Sequence, residues 1–489
     1  MSIREAFIKP EVPGAPSLSE AYRSIAVNGK GWMRRLLAFA GPGYLISVGY
    51  MDPGNWGTDL AGGAQFGYAL LWVILASNLI AMLLQTLCVR LGLATGRDLA
   101  QACRDYYKKP VAIVLWFLCE IAIIACDLAE VIGSAVALNL LFGIPLLWGV
   151  LITGFDVLLL LGAMSFGFRK IEAIVITLVF TVGFCFVLQT VLAQPVWADV
   201  GRGFMPSIPN EQAFVIGLGI LGATVMPHNL YLHTSLVQTR AIDQTFEGTR
   251  EAIRFNTIDT LIALGVAFFV NAAILVVAAS VFHARGYHDV AELQEAHKLL
   301  APLVGAPIAS TAFAVALLAS GQSSTITGTL AGQIVMEGFL NIRIRPWLRR
   351  LITRGLAIVP ALILISMSGG KNTVELLVMS QVVLSMQLSF AIFPLMMFTS
   401  DARRMGQFVN SSPIKIVGYV VCIVIAGLNV YLLFQTIGPL WLGVLTAIMI
   451  GFALWVGFFY QEKPRVARRA DPHHVAQIAV AEGGQAASP

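Results

Sequence analysis

Asp52 and Asn55 stand inside an apolar stretch of membrane length, separated only by Pro53-Gly54. A charge at the centre of a bilayer costs about 2.5–3.5 kcal/mol or more, so an acid there is either neutralised by a buried base, kept protonated, or functional. Proline removes a backbone donor and glycine loosens the chain, so the helix is expected to unwind at this point. Asp52 and Asn55 then offer a carboxylate oxygen and an amide oxygen, both cation ligands. A second interruption, Met226-Pro227-His228-Asn229, falls in another apolar stretch. Unwinding there frees the carbonyl of Ala223 and sets a thioether beside it. A thioether contributes nothing to a hard ion such as Ca²⁺ or Mg²⁺ and favours softer transition metals. Asp, Asn, a backbone carbonyl and Met together therefore read as a site for Mn²⁺ or Fe²⁺, carried as substrate rather than kept as a cofactor.

A second group of residues suits proton movement. Glu120 and Asp127 lie about 20° apart around one helix and Glu130 a further 60° on, so the three acids share a face. Acids grouped on a membrane helix point to a proton relay or a water-lined path. His228 and His233 titrate near neutral pH unless buried as neutral rings. Arg354 is a partner for one of the acids. Gln381 and Gln387 interrupt another apolar run, either bonding to a neighbouring helix or completing a cation shell. The stretch Gly321 to Thr329, continuing to Gln333, is rich in small and hydroxyl residues, the composition of close helix packing.

The elements that position these groups must be membrane helices. Of 489 residues 57% are hydrophobic and only 12% charged, about half the charged fraction of a soluble domain. Mean hydropathy is +0.78. Soluble, disordered, collagen-like and disulfide-scaffold classes are excluded. The six cysteines fit no zinc or disulfide spacing and read as buried thiols. A span needs about 20 apolar residues, and that rule places twelve: 38–63, 67–93, 111–141, 145–167, 171–194 and 212–238, then 256–283, 304–338, 347–368, 374–399, 414–437 and 440–460. Residues 1–36 are polar and carry no cleavable signal pattern.

Of the 32 Lys and Arg, only Arg202, Arg285, Lys298 and Lys371 fall outside the tails and the connections on one face. The excess of basic residues puts that face, with both termini, in the cytoplasm. The net charge of +5 is thereby explained without nucleic acid. The breaks occupy spans one and six, equivalent positions in two five-span halves, 38–195 and 211–400. Five is odd, so the halves are inverted repeats with a midplane site between broken helices. Residues 1–37 form a cytoplasmic tail, 414–460 two additional spans, and 461–489 a disordered tail in which His473-His474 carries no assignment.

Four motifs carry a family resemblance. Gly49-Tyr50-Met51-Asp52-Pro53-Gly54-Asn55, the run Ala223 to His233, Asp127-Leu128-Ala129-Glu130, and Gly321 to Gly338 resemble signatures of the natural resistance-associated macrophage protein (Nramp) family of proton-coupled divalent-metal transporters. The resemblance implies an all-α, leucine-transporter-like fold with metal between broken helices one and six. It implies Asp52, Asn55, Met226 and the Ala223 carbonyl as metal ligands, with Gln381 joining in the occluded state. It implies a proton pathway through Asp52, His228, Asp127 and Glu130 toward Glu120 and Arg354. Related magnesium carriers lack the site methionine, so Met226 favours Mn²⁺ and Fe²⁺. Two departures stand out: Ser389 occupies a position where proline is expected, and a twelfth span extends beyond the eleven of many bacterial members.

The expectation is a non-enzymatic, proton-coupled importer of Mn²⁺ or Fe²⁺ in a bacterial inner membrane. Its partners are metal, proton and lipid, with no obligate protein partner. An amino-acid/Na⁺ symporter of the same fold is the rival within the class, but Asp52 would repel a substrate carboxylate. A passive channel would lack saturation and proton coupling. A membrane enzyme would need a His-Glu-x-x-His or Gly-x-Ser-x-Gly arrangement, and ATP coupling a Walker A loop; the sequence has none of these.

Overall fold

The computed structural model describes residues 16–19, 21–27, 31–155, 167–288, 292–342, 346–368 and 373–455. These residues form a helical bundle in which eight helical segments are long and apolar enough to cross a membrane. Expected spans one, four, eight and twelve are not among the eight, and the reasons are physical. Span one is split into two short halves. Span eight is long but carries the polar seam. Residues 156–166 of the expected span 145–167 lie outside the described residues, and the rest of it holds α7 (Leu146–Thr153). The region of spans eleven and twelve is a single 43-residue helix, α18 (Ser412–Leu454), with Pro439 inside it. One proline removes one donor without supplying a turn, so the helix continues where sequence expects a connection at 438–439. The expected tail 461–489 lies outside the described residues.

Span one consists of α2 (Pro42–Gly49) and α3 (Pro53–Phe66). Its unwound link is Tyr50-Met51-Asp52, slightly earlier than the Asp52–Asn55 break expected. Pro53 explains the shift. It sits at the first turn of α3, where a missing N–H costs nothing, and Asp52 caps that helix by accepting from the Asn55 backbone N–H. Span six repeats the device: α10 (Glu211–Thr224) ends at Val225-Met226, and Pro227 opens α11 (Pro227–Leu236). Both proline breaks therefore begin a helix more than they interrupt one.

Around the breaks stand α4 (Leu71–Thr95), α6 (Lys109–Phe142), α8 (Phe168–Ala193), α12 (Phe246–Val281), α14 (Pro307–Leu340), α15 (Pro346–Ser368) and α16 (Thr373–Ser400), with the short helices α5 (Leu99–Tyr106), α9 (Trp197–Arg202) and α17 (Ala402–Met405) in the connections. α12 starts ten residues before its expected span 256–283, projecting beyond it. The expected stretch 304–338 corresponds to α14, and a separate helix, α13 (Leu293–Val304), precedes it. α16 runs unbroken through Ser389. Asn429 of α18 holds it there, donating to the Ser385 carbonyl at 2.7 Å and reaching Ser389 Oγ at 3.4 Å.

The small-residue seam of α14 is a packing surface against α6. A Cβ added at Gly321 would overlap Ser134, and one at Gly328 would stand 3.0 Å from Glu130 Oε1. At Gly332 it would overlap the Arg349 guanidinium. These glycines bring α14 close enough to roof the acidic face of α6. Part of the expected N-terminal tail is also ordered: Leu18 and Ala21 are buried, and Ile25–Ala26 pairs in parallel with Arg240–Ala241. A short helix, α1 (Trp32–Phe39), then leads into α2.

Candidate functional site at the paired helix breaks

Unwound backbone within a membrane must find its partners in protein or trapped water, and here side chains supply them. Asn271 of α12 donates to the Tyr50 carbonyl at 2.7 Å and Ser320 of α14 to the Met51 carbonyl at 2.5 Å. Asn55 Nδ2 lies 3.1 Å from the Gly49 carbonyl, 2.8 Å from Asp52 Oδ1 and 3.2 Å from the Ala223 carbonyl. One amide thus joins both breaks. Asn55 Oδ1 in turn accepts from Asn271 at 3.3 Å. Asp52, Asn55, Ala223 and Met226 are all fully buried or nearly so.

Met226 packs with Ala122, Cys126 and Leu384. A Cβ on Gly49 would come within 3.2 Å of its sulfur and would overlap the Asn229 amide. Gln381 lies against the opposite lip: a Cβ on Gly54 would overlap its amide. Its Nε2 donates to Ser380 Oγ at 3.0 Å, while its Oε1 has no hydrogen-bond partner among the described residues. The five residues expected to hold metal are therefore gathered around the two breaks. The set holds one carboxylate and no cluster of three His, Cys, Asp or Glu; none occurs anywhere among the described residues. Gln387 makes no hydrogen bond among the described residues and lies outside this group.

The three acids of α6 face three arginines of α15. Arg349 contacts both oxygens of Glu120, at 2.9 and 3.0 Å. Arg350 bridges Asp127 at 2.5 Å and Glu130 at 3.0 Å. Arg354 reaches Glu130 at 3.3 Å, and Thr325 of α14 also donates to Glu130 at 3.1 Å. Asp127, Glu130, Arg350 and Arg354 are essentially inaccessible to solvent. Sequence reasoning named Arg354 but missed Arg349 and Arg350, which it counted with the basic connection between spans. The signal was their spacing: 350 and 354 are one turn apart on the helix facing the acids.

Cys126 links the two groups, its sulfur 3.8 Å from Asp52 Oδ2 and 3.9 Å from Glu130 Oε1. His228, on the first turn of α11, is buried with its Nδ1 unpaired among the described residues. His233 points elsewhere. Its Nδ1 meets Gln85 Oε1 at 2.9 Å, and Gln85 donates to the Tyr50 hydroxyl at 2.8 Å. That chain runs toward α4 and the first break, and no contact joins His233 to the three acids among the described residues.

A multi-pass membrane protein in which two discontinuous helices meet over a buried polar site has the architecture of a secondary transporter. Residues 43–435 match the family described as natural resistance-associated macrophage protein-like, and the chain belongs to that family. It is 59% identical over 426 residues to a divalent metal cation transporter, MntH, of Nostoc sp., covering 86% of this chain and 96% of that one. It is 58% identical over 433 residues to the MntH of Bradyrhizobium diazoefficiens, covering 88% and 96%. The manganese transporter of Eremococcus coleocola superposes with a TM-score of 0.81 at 40% identity, covering 90% of this chain and 98% of that structure. Mhp1, a nucleobase-cation-symport-1 transporter, shares the fold with a TM-score of 0.56 at 16% identity.

Proposed function

We propose that the chain is a divalent-metal transporter that imports Mn²⁺ or Fe²⁺ together with protons by alternating access, through the cell membrane and with both termini cytoplasmic. The observation that carries this reading is the convergence of Asp52, Asn55, the Ala223 carbonyl and Met226 at two facing helix breaks. Oxygen donors attract any divalent cation, and the thioether discriminates toward softer ones. Gln381, held over Gly54 with a free Oε1, completes the shell when the helices close. On metal entry Asn55 turns its Oδ1 inward and gives up the hydrogen bonds that now bridge the breaks. Names borne by the relatives, divalent metal cation transporter and manganese transporter, agree with this cargo.

A carboxylate must be deprotonated to bind a cation, so metal binding displaces a proton from Asp52. The route we assign to that proton passes Cys126 and Glu130 to Asp127, with Arg350 and Arg354 holding the α6 carboxylates and Glu120 with Arg349 at the exit. His228, buried on the first turn of α11, serves the same step from the other break. His233, bonded to Gln85, tunes the first break through Tyr50 and is a less direct member of the pathway. Rocking of α2–α3 and α10–α11 against the surrounding helices then alternates access.

The test is Mn²⁺ uptake into proteoliposomes with internal pH monitored and excess Ca²⁺ or Mg²⁺ outside. The expected result is saturable uptake that resists both competitors and acidifies the interior. Abolition by Mg²⁺ would end the selectivity claim, and uptake without acidification would end the coupling claim.

A further inference from the structure

α1 has one broad apolar face, and the protein covers only part of it. Leu36 and Phe39 face inward, where Phe39 stacks on Phe255 at 5.4 Å and joins a small core with Ile242 and Ala252. Trp32, Met33 and Leu37 share that face, which spans about 160° from Phe39 to Leu37, and are 51%, 60% and 60% exposed. Arg34 and Arg35 flank that arc; Arg34 is exposed and Arg35 pairs with Glu251. An eight-residue helix is too short to persist on its own propensity, and three large apolar side chains in water would add nothing to it. The pattern is that of a helix lying in a membrane interface, apolar residues among acyl chains and basic ones at phosphates.

The surroundings favour lipid over a protein partner. α1 ends against the start of α8, where Arg169 donates to the Leu37 and Ala40 carbonyls at 2.8 and 2.6 Å. From there α8 presents Ile174, Phe180 and Phe184, exposed on the outside of a membrane bundle. The uncovered arc of α1 thus continues a lipid-facing surface, at the face where the basic residues concentrate.

We propose that α1 is an interfacial anchor for anionic phospholipid, with Trp32, Met33 and Leu37 inserted among the chains and Arg34 at the headgroup phosphates. The anchor is joined to the moving part of the site. Arg240 donates to the Phe39 and Ala40 carbonyls at 3.1 and 2.7 Å and pairs with Glu172 at 2.6 Å. Gly41, at φ +143°, then turns the chain directly into α2, with no room for a Cβ beside Glu172 and Arg240. A change in the seating of α1 is therefore transmitted to the inner half of the first broken helix, and the transport rate depends on the lipid at this face.

The six native cysteines are buried, so a single introduced thiol can be spin-labelled in the full chain. In vesicles containing phosphatidylglycerol, labels on Met33→Cys and Leu37→Cys should collide with oxygen and be shielded from a polar nickel reagent, while one on Arg34→Cys meets the polar reagent. Equal access of the polar reagent at all three positions overturns the proposal. So does shielding of 33 and 37 from both reagents, which would mean a protein interface. This readout is independent of what the chain transports. Replacing phosphatidylglycerol by phosphatidylcholine should slow uptake severalfold in the native chain and leave Arg34→Gln unchanged; equal sensitivity of the two proteins would contradict the headgroup assignment.

Discussion

In the proposed reading cargo selectivity rests on Met226, and a volume-conserving replacement isolates its sulfur. Met226→Leu should cost less than about 1.5 kcal/mol in stability, yet Ca²⁺ should now compete with Mn²⁺, with discrimination falling on the order of tenfold, about 1.4 kcal/mol. Competition assays on the purified variant check this; unchanged discrimination would remove the thioether from the account. Arg350 makes a different demand. It is wholly buried between two carboxylates, so Arg350→Met should destabilise the chain by about 3–5 kcal/mol, the cost of an uncompensated buried charge. Adding Asp127→Asn should recover much of the loss in a thermal melt, because removing both partners leaves less unpaired. The ligand candidates were legible as residues because acids, amides and thioethers are conspicuous in an apolar run. Arg349 and Arg350 were not, because basic residues at a helix end read as orientation signals until the facing helix is known.

At the scale of elements, the breaks were legible from proline and glycine, but their registry was not. Pro53 and Pro227 each start a helix, so the unwound residues precede the prolines, and the side chains that satisfy the Tyr50 and Met51 carbonyls come from α12 and α14. Asn271 and Ser320 could not be singled out from sequence, since a lone Asn or Ser in a span has many ordinary uses. Gly54 allows the half-helix and α16 to meet. Gly54→Ala drives a methyl into the Gln381 amide, and a displacement near 1 Å at such a site costs on the order of a hundredfold. Uptake should fall by about that factor and return in part when Gln381→Ala is added; full activity of Gly54→Ala would mean that Gln381 never approaches the metal.

For the molecule as a whole, composition was enough to establish a multi-pass membrane protein, and the odd five-span repeat gave the inverted architecture. The ends were harder to read. Hydropathy places a connection at Gly438-Pro439 between spans 414–437 and 440–460, where α18 runs on helically through Pro439. Charge counting likewise treats residues 1–37 as cytoplasmic tail, although Leu18 is buried and Ile25–Ala26 pairs with Arg240–Ala241, beyond α11. A consequence at this scale concerns pH. With Asp52 as the proposed metal ligand, metal and proton compete for its carboxylate, so Mn²⁺ binding to the detergent-solubilised chain should weaken as pH falls and release protons into an unbuffered solution; titration calorimetry in two buffers of different ionisation enthalpy measures the number released, and zero would separate binding from proton movement.

Anomalous scattering from crystals soaked in Mn²⁺ tests directly whether cargo sits between the two helix breaks. One dominant manganese peak is expected, shared by Asp52, Asn55, the Ala223 carbonyl and the Met226 sulfur, and weakened or lost in Asp52→Asn. A peak held instead by Asp127 and Glu130, or one undiminished in Asp52→Asn, would contradict it.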